Sequence, residues 1–96
     1  MSRADEVFHW DQVDPNDTVG VWIWGYGDND VVLYSIVPTL HSNEPSSAVQ
    51  VQAQLSEDVT KRSSDGSVAR LVWVQNKSVG PQPYISVRLL EFVQKF

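Results

Sequence analysis

Along residues 49–55 every second side chain is apolar: Val49, Val51, Ala53 and Leu55 alternate with Gln50, Gln52 and Gln54. A period of two is the spacing of a pleated strand whose two faces meet different surroundings. The same period recurs through the chain. Ile85, Val87 and Leu89 alternate with Ser86, Arg88 and Leu90. Ala69, Leu71 and Trp73 alternate with Val68, Arg70, Val72 and Val74, which predicts a strand apolar on both faces and therefore central in its sheet. Residues 19–24 and 31–37 are filled with β-branched and aromatic side chains, as a pleated surface prefers. An opening strand near residues 6–10 and another near 59–62 complete the set, and no run has the three-and-four spacing of an amphipathic helix.

The punctuation between these runs points the same way. Residues 25–30, Gly-Tyr-Gly-Asp-Asn-Asp, form a short loop that predicts a hairpin between the second and third strands. Asp65-Gly66, within residues 63–67, is the pair a type I′ turn demands and predicts a hairpin into the strand at 68–74. Residues 38–47 are the longest connection and the expected crossover from one sheet to the other. About seven short strands at this spacing predict an all-β chain, a two-sheet antiparallel sandwich, with residues 1–96 as one domain. In outline the pattern resembles an immunoglobulin-like or lectin-like sandwich. The Cys…Trp…Cys hallmark of true immunoglobulin domains is absent, since the chain has no cysteine, and the resemblance carries no site residues across.

Four tryptophans in 96 residues give a small core unusually large pieces to bury. The net charge of −5 argues against a general nucleic-acid binder, which needs clustered Lys and Arg for phosphate contacts. The charges are also segregated. Residues 1–58 hold ten acids against Arg3 alone, whereas residues 59–96 hold six bases against Asp65 and Glu91. Two arrangements follow: internal pairing between interleaved strands, or an acidic and a basic face that meet in a homo-oligomer. Met1 to Glu6 lack the apolar run of a secretory signal, and no stretch approaches the ~18 apolar residues of a membrane span. The localisation expected by default is cytoplasmic, with unconventional export and excision from a longer chain both left open.

Catalytic chemistry finds few candidates. No serine sits in a Gly-x-Ser-x-Gly elbow, and only His9 and His41 could act as a base near neutral pH. His41, Ser42 and Glu44 have the residue types of a relay, but groups crowded into one loop rarely converge as catalytic groups from separate elements do. The expectation is a non-enzyme without a cofactor. Asp28, Asn29 and Asp30, with Asp14 and Asp17 on a neighbouring loop, are the one oxygen-rich cluster to weigh as a calcium site. They supply too few ligands, and tight turns favour the same residues, so no metal is expected.

The informative surface is aromatic. Trp22, Trp24 and Tyr26 project from one side of a single strand, and Val19, Val21 and Ile23 from the other. Three arrangements are open: the tryptophans form the core, they form a subunit contact, or they stand in solvent about 7 Å apart as a platform for sugar rings. In the last case Asp28, Asn29 and Asp30, with Gln50, Gln52 and Gln54, would bond the sugar hydroxyls. The expected function is a non-catalytic, carbohydrate-binding module with a glycan ligand and a site of Trp22, Trp24, Tyr26, Asp28, Asn29 and Asp30. The alternative is a structural domain that forms a homo-oligomer through the same face and its exposed strand edges.

Overall fold

The structure is a computed structural model that describes residues 4–41, 49–62 and 64–95, the side chains of 58–62 excepted. Six strands form among the described residues: β1 (Asp5–Val13), β2 (Thr18–Tyr26), β3 (Val31–Leu40), β4 (Ala53–Arg62), β5 (Val68–Asn76) and β6 (Ile85–Gln94). They make two three-stranded antiparallel sheets, ordered β1-β6-β3 and β2-β5-β4. No helix occurs among the described residues, so none is long and apolar enough to cross a membrane.

The apolar side chains selected by the period of two meet between the sheets. Val13, Ile85 and Val87 from the first sheet pack with Val74 from the second, and Trp10, Ile36, Val19, Ala53 and Leu55 close around them. A second cluster joins Tyr26 and Val68 of one sheet to Val32 of the other, with Ile23 and Tyr34 beside it. The central position expected for residues 68–74 is observed, because β5 has a strand on either side. The molecule is nonetheless elongated. Its radius of gyration is 15.3 Å, against about 12.5 Å for a compact chain of this length.

Four local expectations change. The strands expected at 49–55 and 59–62 are one strand, β4, and the count falls from seven to six. Ser56, Glu57 and Asp58 contain no glycine or proline to turn the chain. The break in alternation there is instead a register shift between Glu57 and Thr60 on β5. Upstream, Gln50 makes only an isolated bridge to Val79.

Residues 27–30 are not a hairpin loop, because they carry the chain from β2 in one sheet to β3 in the other. Every connection except β4–β5 changes sheet in this way. The β1–β2 corner is equally short: Asn16 takes a left-handed φ of 65°, which asparagine tolerates, and the Asp17 amide donates to the Asp14 carbonyl. The β4–β5 hairpin does form around Asp65-Gly66, but Gly66 alone has positive φ, at 87°. A type I′ turn needs it at both central residues, so this is a longer loop, tied by Asp65 Oδ1 accepting from the Ser67 amide and hydroxyl. Of the residues 38–47 expected as the crossover, 38–40 belong to β3, and 42–48 lie outside the described residues.

Among the described residues, three of the segregated bases pair internally. Arg88 with Glu6 at 2.7 Å, Arg70 with Glu57 at 3.1 Å and Lys95 with Asp30 at 3.4 Å each join a base from the second part of the chain to an acid from the first.

Candidate functional site

β2 settles which side of the aromatic strand meets solvent. Val19 and Ile23 pack inward against the two clusters, whereas Trp22 is 41% and Trp24 53% exposed on the outer face of the β2-β5-β4 sheet. The arrangement with these two tryptophans as core is therefore excluded. Their ring centroids stand 6.1 Å apart with planes inclined by 29°, in the spacing that residues two apart on one face impose.

Tyr26 does not join them. Between the pairs Ile23–Arg70 and Tyr26–Val68, β2 advances three residues while β5 advances two. The extra residue is accommodated at Gly25, whose φ of 102° suits glycine, and it reverses the alternation. Tyr26 consequently points between the sheets and is 6% exposed. The sequence held a signal for this: an isolated glycine inside an alternating run marks a bulge.

The corner residues divide as well. Asp28 and Asn29 are exposed at the turn. Asp30 folds back on the corner itself, with Oδ2 accepting from the Gly27 amide at 2.8 Å and from Lys95 Nζ at 3.4 Å. The Gly27 amide first, and Lys95 after it, hold the Asp30 carboxyl below the usual carboxylate range although its burial opposes them. Its role is to close the corner. Gln52 is tied through its backbone, its amide accepted by Ser78 Oγ and its carbonyl taken by the Lys77 amide. Of the three glutamines only Gln54 lies within a strand, where it pairs with Gln75.

Register brings in residues that the sequence reading did not assign to this face. Trp73 lies opposite Gly20, and Leu71 opposite Trp22. Trp73 Cδ1 stands 2.5 Å from where a Cβ on Gly20 would be, so that indole occupies the space a side chain would need. Across the sheet the outer face therefore reads Thr18–Gln75–Gln54, then Gly20–Trp73–Ser56, then Trp22–Leu71. It is an indole surface bordered on one end by amides and hydroxyls.

A polar group that sequence did not reveal lies between the sheets, where the bulge sends Tyr26. The Tyr34 and Tyr26 hydroxyls are 2.6 Å apart, and Tyr26 donates to Glu91 Oε2. Tyr26 has one proton, so Tyr34 donates to Tyr26 and Tyr26 to Glu91. Arg70 stands nearby with Nη1 donating to Glu57 Oε1 and, at 3.4 Å, to the Val32 carbonyl. Burial first, then the bonds to Glu91 and Tyr34, push the Tyr26 hydroxyl far above the usual phenol range; burial also raises Tyr34.

The histidines make ordinary surface contacts. His9 Nε2 is 3.3 Å from Asp11 Oδ1, and His41 Nδ1 is 3.3 Å from Ser86 Oγ. The Ser86 hydroxyl gives its proton to the Asp11 carbonyl at 2.6 Å, an arrangement that leaves His41 no proton to abstract along that contact. Ser42 and Glu44 lie outside the described residues. Among the described residues no group of three or more His, Asp or Glu side chains is placed to hold a metal ion. No protein-family model, no curated protein and no solved structure matches the chain.

Proposed function

We propose that this chain is a non-catalytic binding module whose working surface is the outer face of the β2-β5-β4 sheet, with Trp22 and Trp24 stacking on the sugar rings of a glycan. The observation that carries the reading is the exposure of both indoles side by side on one strand, where apolar rings of that size are normally withdrawn from water. Thr18, Gln54, Ser56 and Gln75 supply donors and acceptors along the same face, and Asp28 and Asn29 lie in the corner that follows β2. Tyr26 and Asp30 are left out of the contact surface, since both are engaged elsewhere. For the fold, an immunoglobulin-like or lectin-like sandwich of one domain is the corresponding proposal; it carries no weight in the choice of ligand.

The test is titration of intrinsic tryptophan fluorescence with a panel of linear β- and α-linked oligosaccharides. Binding should perturb the emission, and Trp22→Ala or Trp24→Ala should each weaken it about tenfold, the equivalent of ~1.4 kcal/mol. Emission unmoved by every sugar in the panel would sink the glycan reading.

A further inference from the structure

Each sheet has two edges, and three of the four are blunted. β1 loses register twice, between Glu6 and Phe8 and between Trp10 and Val13, and its Asp11 carbonyl already accepts from Ser86 Oγ. On β3 the Arg70 guanidinium occupies the Val32 carbonyl, and Pro38 has no amide proton to offer. β4 is broken by a register shift between Glu57 and Thr60 and carries the exposed Glu57. Bulges, prolines and charges are the devices by which strand edges avoid pairing with another chain. β2 has none of them over residues 18–23, which run in unbroken register on β5. No charged side chain or proline falls between Asp17 and Asp28.

The backbone groups that β2 leaves open can be identified. The Asn76 amide donates to the Asp17 carbonyl, so Asp17 turns its backbone toward β5. In an antiparallel ladder successive residues turn alternately toward and away from the neighbour. Val19, Val21 and Ile23 therefore bond to β5, while Thr18, Gly20 and Trp22 direct their amides and carbonyls outward. The Thr18 amide is capped by Asp17 Oδ1 at 3.0 Å. The Thr18 carbonyl and both backbone groups of Gly20 and Trp22 have no strand beside them among the described residues.

We propose that this edge pairs with β2 of a second copy of the chain, antiparallel about a two-fold axis at Val21, to give one six-stranded sheet. Strand and register are self-complementary. With Val21 at the axis, Gly20 and Trp22 of one copy exchange two hydrogen bonds with Trp22 and Gly20 of the other, and the symmetry repeats them for a total of four. On the outer face each Trp22 then falls opposite a Gly20, the one position in residues 18–23 that has no side chain of its own. There it meets the indole of Trp73, which already lies over that glycine. No like charges oppose one another within the paired strands. The blunted outer strand β4 ends the sheet on each side, so assembly stops at two copies. The proposal rests on the edge and its register, and holds whether or not the face binds a sugar.

Sedimentation equilibrium from low-micromolar to near-millimolar protein, without sugar, should show a reversible monomer–dimer transition. Trp22→Pro removes an outward amide that faces no strand among the described residues, and proline is tolerated on a strand edge for that reason. It should raise the dimer dissociation constant at least about tenfold while the far-UV strand spectrum persists. If that variant fails to fold, amide exchange on the unaltered chain decides: protection at Gly20 and Trp22 should grow with protein concentration. A chain that stays monomeric throughout, a folded Trp22→Pro variant that dimerises undiminished, or concentration-dependent protection confined to β1, β3 or β4 would each overturn the proposal.

Discussion

The space between the sheets has two unlike ends. At one, Val13, Val74, Ile85 and Val87 are fully buried, and the polar side chain among them, Asn76, is satisfied: its Nδ2 donates to the Val13 and Pro83 carbonyls and its Oδ1 accepts from the Ser78 amide. At the other, Tyr26, Tyr34 and Glu91 form a chain of hydroxyls and carboxyl beside the Arg70–Glu57 pair. The first end is held mainly by apolar area removed from water, and its aliphatic side chains, Asn76 apart, can be exchanged at constant volume. The second end depends on direction, because each buried donor must meet one particular acceptor. The difference shows how a chain without disulfides can fix the relative placement of two sheets. Area draws them together, and a few directional bonds select the offset.

The comparison can be broken at its most exposed assumption first. Asn76→Leu should be the most damaging change, about 4 kcal/mol, because it leaves two carbonyls and an amide without partners in the end described as apolar. Urea unfolding measures it, and a loss under about 1 kcal/mol would mean water replaces the side chain. Ile85→Ala should follow at about 3 kcal/mol, a cavity in a fully buried site, with the midpoint lowered and the urea slope unchanged. Tyr26→Phe keeps the ring and removes the hydroxyl between Tyr34 and Glu91, and should cost about 1–2 kcal/mol.

The directional end should also show itself in alkali. Both tyrosines have folded-state values raised above the unfolded one, so the folded state holds its protons longer as pH rises. That contribution is complete below about pH 10 and is lost as pH climbs beyond it. The stability of the unaltered chain should therefore fall above that pH, and a Tyr26→Phe, Tyr34→Phe double variant should lose the slope. An unchanged slope would remove the hydroxyl chain from the account. Trp24→Ala should have the smallest effect, within about 0.5 kcal/mol, as befits an exposed side chain, and a large loss would return the indole to the core.

The period of two was legible because burial repeats along a strand, and it identified the strands and the central place of β5, whereas the inward side of Val19 and Ile23 in β2 was set by the structure, both faces of that strand being apolar. The residues that sit on one face could be read as far as the alternation continued. At Gly25 it stopped: a single extra residue sent Tyr26 inward and separated it from Trp22 and Trp24, and the similar shift after Glu57 merged two expected strands into β4. Neighbours from distant strands were not legible at all. Trp73 over Gly20, Glu91 against Tyr26 and Arg70 on the Val32 carbonyl depend on register and on sheet order. Alternation is a local property of one strand and is unchanged when its partner slides by two residues or lies in the other sheet. The sequence thus determined which side chains share a face of a strand as far as its alternation is unbroken, and tertiary structure alone decided which face turns inward and which residues meet there.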